Sequence, residues 1–122
     1  MDIKDYVLIN QDIKTLNRYI YSSLDITQNH IMILYYVLQS EKQQISLQEL
    51  ISTIKTTGSI LTNQVKELEK RGYVTKERCE DNLRKVYVSM SNQQKEDTVA
   101  LLELINEYIE EYPGSNYTIN EV

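Results

Sequence analysis

Ser59, Thr62, Asn63, Lys66 and Lys70 are polar or cationic residues whose spacing suits one face of a helix. At about 100° per residue they fall into a single arc, with Leu61, Val65 and Leu68 as an apolar stripe roughly opposite. The arc holds no acid; Glu67 and Glu69 sit at its flanks. Short polar side chains in such an arc can reach base edges, because Asn pairs bidentately with adenine and a Thr methyl touches a thymine methyl. The lysines suit phosphates, which set register rather than sequence. Thr57 and Lys55, just ahead of the arc, join the set, Thr57 as a leading polar residue and Lys55 as a phosphate contact. The plainer reading of the Ser, Thr and Asn residues is a soluble, well-capped helix.

Gly72 follows the lysines as a helix C-cap should. Two β-rich runs come next, residues 73–78 and 84–90, joined by Cys79-Glu80-Asp81-Asn82-Leu83. Lys76, Arg78, Arg84 and Lys85 belong to this ribbon. Arg84, at its tip, is the strongest candidate for a minor-groove contact, since narrow A-tract grooves attract arginine. A structural salt bridge from Arg84 to Asp81 or Glu80 is the alternative. A polar, cationic helix followed by a basic hairpin is how a winged helix-turn-helix presents itself to DNA.

A net charge of −5 argues against a nucleic-acid partner until its distribution is read. Residues 1–52 carry four Lys/Arg against six Asp/Glu, residues 53–85 eight against five, and residues 86–122 one against seven. The only positive segment is the helix plus ribbon.

The elements that must position this segment follow from periodicity. Tyr6, Ile9, Ile13, Leu16 and Ile20 recur at spacings of three and four, predicting an amphipathic first helix over about 5–24. Residues 31–38 are eight apolar residues in a row, predicting a helix buried on most sides. Ile45 suits a short strand. Ser46 and Glu49 read as a capping box opening a short helix that ends near Ile54. That helix and the next form a helix-turn-helix over about 46–71, with the wing over about 72–90. A long last helix spans about 92–112, where Pro113-Gly114 stops it, leaving 113–122 as a tail. Its apolar residues spread too widely for one small body. With the first helix they predict a dimer interface at Ile9, Ile13, Leu16, Leu101, Leu104, Ile105, Tyr108, Ile109 and Tyr112. The whole reads as one domain, mainly α with a small β-ribbon: five helices plus a two-stranded wing, in a homodimer.

Other chemistry is sparse. A lone Cys and a lone His exclude a zinc site built from those residues within one chain, and no metal or cofactor is expected. No apolar run approaches the ~20 residues that span a bilayer, and the first residues lack a signal-peptide pattern, so a cytoplasmic chain with no membrane partner is expected. No nucleophile has a His partner and no glycine-rich phosphate loop occurs, so the chain reads as a non-enzyme. Cys79 stands among basic residues, which favour the thiolate; a redox role is the sharper reading and a serine-like residue without a role the plainer one. His30 reads as a capping or packing residue.

Residues 72–96, GYVTKERCEDNLRKVYVSMSNQQKE, with Lys66-Glu67-Leu68-Glu69-Lys70-Arg71 before them, resemble the staphylococcal accessory regulator (Sar) family, a branch of the MarR-type winged-helix transcription factors. The resemblance covers roughly residues 5–112. It implies a homodimeric double-stranded-DNA-binding regulator of virulence or stress genes that favours AT-rich promoters. The family's wing usually carries Asp-Glu-Arg where this chain has Asn82-Leu83-Arg84; Arg84 matches, and Asp81 stands one place before the missing acid. Position 79, commonly Ser in the family, is Cys. Many MarR-type proteins respond to small molecules, but the sequence names no effector. The rival reading is a winged helix that binds another regulator through its acidic last helix, without touching DNA.

Overall fold

A computed structural model describes residues 1–78 and 85–111. Cys79, Arg84, Tyr112, the residues 80–83 and the tail lie outside the described residues. The five expected helices are present: α1 (Ile3–Leu24), α2 (Gln28–Gln39), α3 (Leu47–Ile54), α4 (Gly58–Lys70) and α5 (Asn92–Glu111). Three short strands accompany them: β1 (Gln44–Ser46), β2 (Thr75–Arg78) and β3 (Val86–Ser89). The chain divides into two compact units, Gln28–Leu102 and Met1–Thr27 with the described residues from Glu103 onward.

In the larger unit, Ile33, Leu34, Val37, Leu50, Leu61, Val65, Leu68 and Val88 have no exposed surface and form one cluster. Each fully buried aliphatic side chain contributes about 1.5–3 kcal/mol by leaving water. α2 is covered on most sides, as its apolar run predicts: His30, Ile33, Leu34 and Val37 are buried, Ile31, Met32, Tyr36 and Leu38 are half-buried, and Tyr35 is exposed and meets Tyr36 edge-on with ring centroids 5.3 Å apart. An unbroken apolar run carries no period, so its sequence could not say which side faces water.

The sheet has the order β1-β3-β2, all antiparallel. The ribbon is therefore not two-stranded at its root: Ile45 pairs with Val88 and adds a third strand. Ser46 caps α3 by accepting the Glu49 N–H at 3.1 Å. A full reciprocal box stands instead at the start of α1, between Asp2 and Asp5, and another at α5, where Gln94 N–H donates to Ser91 Oγ at 3.1 Å and Ser91 N–H to Gln94 Oε1 at 3.0 Å.

In the smaller unit, Tyr19 of α1 meets Tyr108 of α5 edge-to-face, ring centroids 5.5 Å apart. Ile20, Ile26 and Ile105 are buried. Ile3, Tyr6, Val7, Leu8 and Ile13 on α1 remain exposed, as do Leu104 and Ile109 on α5.

α4 ends in a Schellman motif. Gly72 N–H donates to Glu69 O and Tyr73 N–H to Leu68 O, both at 3.0 Å, with Gly72 at φ +85°. Nothing lies within 4 Å of a Cβ placed at Gly72, so its requirement is purely conformational. At Gly58 a Cβ would meet only the Ile51 Cδ1 at 3.6 Å, an ordinary contact. Gly72→Ala should cost about 1 kcal/mol in urea unfolding, whereas Gly58→Ala should be neutral or stabilise by up to about 1 kcal/mol.

Candidate nucleic-acid interface

α4 (Gly58–Lys70) carries most of the polar candidates. Its buried stripe, Leu61, Val65 and Leu68, turns Ser59, Asn63, Lys66 and Lys70 outward, all exposed, with Thr62 half-buried beside them. Lys66 and Lys70 are four apart and so stack on one face. Thr57 is the N-cap: its Oγ1 accepts the Ile60 N–H at 3.3 Å, so its hydroxyl oxygen already serves the helix. Ile60 is an apolar residue nearly half exposed on this helix, outside the polar pattern that picks out the other candidates.

Glu67, one of the two flanking acids, stays exposed but reaches a buried side chain of α2. Its Oε2 lies 3.2 Å from Nε2 of His30, a side chain with almost no exposed surface. His30 is thus a packing residue of α2 that meets α4 on the side away from the polar arc. Glu69, the other acid, accepts the Lys76 N–H at 3.1 Å.

Lys55 stands just past α3 with φ 62° and ψ 48°, the left-handed conformation, and its N–H donates to Ile51 O at 2.9 Å. Glycine or asparagine fills such a position at less cost. An exposed lysine held there places a cation in the turn between α3 and α4.

The hairpin's cations divide by pleat. Cross-strand partners share a face; Lys76 stands opposite Val88 and Arg78 opposite Val86. Val88 is fully buried, so Lys76 and Arg78 occupy the core-side face of the sheet, Lys76 half-buried and Arg78 exposed further along the strand. Lys85 is exposed at the foot of β3.

The expected pairing residues divide as well. Ile13, Leu104 and Ile109 are exposed, while Ile9, Leu16 and Tyr108 are half-buried. Ile105 is already covered within the chain, and Leu101 packs on the core of the larger unit. Ile3, Val7 and Leu8 add exposed apolar surface that the three-and-four periodicity passes over.

Residues 15–101 match the model of the SarA/Rot transcriptional regulators. The chain belongs to this family. Its fold is the MarR-like winged helix. Sco3205, a MarR-family regulator of Streptomyces coelicolor solved in complex with DNA, superposes with a TM-score of 0.76 at 19% identity, over 95% of this chain and 73% of that one. AbsC, a MarR-family regulator from the same organism, gives 0.73 at 17%, over 88% and 72%. The Staphylococcus aureus MepR–DNA complex gives 0.62 at 15%, over 87% and 85%. The SarA/Rot match spans the helix-turn-helix and the hairpin in full. No helix among the described residues is long and apolar enough to cross a membrane.

Because Lys55 sits where glycine is favoured, Lys55→Gly should raise stability by about 0.5–1 kcal/mol in chemical denaturation while removing a charge from the polar face. Loss of stability on that substitution would mean the lysine side chain holds the turn.

Proposed function

We propose that this chain is a transcriptional regulator that binds double-stranded DNA with sequence preference, as a homodimer, with α4 in the major groove and the wing over the flanking minor groove. The observation that carries this reading is the outward arc of Ser59, Thr62, Asn63, Lys66 and Lys70, held by a fully buried stripe on the same helix. A major groove about 12 Å wide accepts such a helix. Asn63 and Thr62 suit adenine and thymine, in keeping with AT-rich promoter targets, and Ile60 offers a further apolar contact for a thymine methyl. Lys55, Lys66 and Lys70 hold phosphates. That Sco3205 and MepR, which share this fold, were solved with DNA supports DNA as the partner.

Charge supports it too. Residues 28–102 hold ten Lys/Arg and nine Asp/Glu; the remainder of the sequence holds three and nine. The unit that carries the helix-turn-helix is therefore close to neutral, and the excess acid belongs to the other part of the sequence. The exposed Ile3, Tyr6, Val7 and Leu8 of α1 and Leu104 and Ile109 of α5 are the surface for a second copy. Two-fold pairing would set half-sites about 34 Å apart, one helical turn. Control of virulence or stress genes is the physiological role in keeping with the family.

The test is a salt titration of binding to AT-rich duplexes, with size-exclusion chromatography alongside. The expected result is a dimer whose affinity falls steeply with salt as counterions are released. Lys66→Ala should weaken all duplexes alike and lower the salt slope by about one, whereas Asn63→Ala should blur discrimination at its base pair by about 1–3 kcal/mol. A DNA-inert monomer would refute the reading and favour a protein-interaction module.

A further inference from the structure

We propose that Glu69 is a positioning residue: its carboxylate clamps the root of the wing to the recognition helix and so fixes the angle between the two elements that meet DNA. The consequence for DNA rests on the function proposed above; the clamp itself does not.

The connection from α4 to β2 is four residues, Arg71 to Val74. The Schellman bonds govern it only as far as Tyr73. Beyond that, β2 is the edge of the sheet, paired with β3 alone. An edge strand in an antiparallel pair directs alternate N–H groups away from its neighbour. The N–H of Lys76 donates to Glu69 Oε2 at 3.1 Å, so one outward group of the edge strand is tied to the last turn of α4. Glu69 therefore grips the connector at both ends: its main-chain oxygen accepts from Gly72 and its side chain from Lys76. The neighbouring residue is held from another side, because Thr75 Oγ1 donates to Gln94 Oε1 at 3.2 Å, an oxygen that the Ser91 N–H also engages.

The charge of Glu69 distinguishes a clamp from a bystander. Glu69 is an exposed acid beside Lys66 and Lys70. As a bystander it would repel phosphates, and its removal would tighten DNA binding. As a clamp, its removal would free the wing and weaken binding. The two roles predict opposite signs.

The test compares E69A, E69Q and E69D with the wild type in two measurements. One is anisotropy titration against a duplex enriched from a random AT-rich pool; the other is amide exchange at Lys76 in the protein without DNA. E69Q keeps an acceptor oxygen without the charge, while E69D keeps the charge on a side chain one methylene shorter. The expected pattern is a loss of roughly fivefold or more for E69A and E69D, with E69Q within about twofold of wild type. Lys76 should exchange about tenfold faster in E69A and E69D and near the wild-type rate in E69Q. Tighter or unchanged binding by E69A, or E69D matching wild type in both measurements, overturns the proposal. So does unchanged Lys76 exchange across the series. If the wild type selects no duplex, the DNA reading fails by itself, and the exchange rates alone decide the clamp.

Discussion

Leu61, Val65 and Leu68 have no exposed surface, and their burial sets the rotation of α4 about its own axis. At about 1.5–3 kcal/mol each, they contribute an amount comparable to the total stability of a small domain. A turn of the helix by one residue would expose one of them and bury an amide or a lysine. The polar arc therefore faces outward because the opposite side cannot. The contacts behind α4 agree with this setting: Glu67 reaches back to His30, and Thr57 closes the first turn.

Charge follows the same division. Lysines occupy the outward face of α4, the turn before it and the hairpin after it, while α5 ends in Glu103, Glu107, Glu110 and Glu111. A net charge of −5 is therefore compatible with a polyanionic partner, because long-range fields are screened over about 8 Å at physiological salt and the local sign decides. The two flanking acids of α4 are engaged in contacts within the larger unit, one with His30 and one with the backbone of the wing. Acids so placed tie α4 to α2 and to β2 rather than standing as isolated negative charges on the polar face.

Sequence periodicity made much of this legible. The stripe and arc of α4, the glycine at its end, the first and last helices and a strand at Ile45 all have local signatures, and the structure contains each. What stayed hidden is non-local or conformational. The pairing of Ile45 with Val88 joins segments more than forty residues apart, and nothing local to a strand names its partner. The capping boxes at Asp2–Asp5 and Ser91–Gln94 have recognisable residue types but no unique signal, while the one flagged at Ser46 forms the bond to Glu49 N–H. Lys42, Gln43 and Lys55 adopt positive φ without the glycine that would announce it. Burial of Ile105 depends on tertiary contacts that the widely spread apolar residues of α5 do not specify. At the candidate site, the lysines are readable, but the bond from Lys76 N–H to Glu69 is not, since nothing local pairs a carboxylate with a strand's N–H.

Backbone amide shifts recorded while a selected duplex is titrated into isotope-labelled protein test the central claim most directly. Perturbations should concentrate at Ser59, Thr62, Asn63, Lys66 and Lys70 and in the hairpin, with the acidic end of α5 silent. Perturbations centred on residues 103–111, with α4 unmoved, would contradict the account.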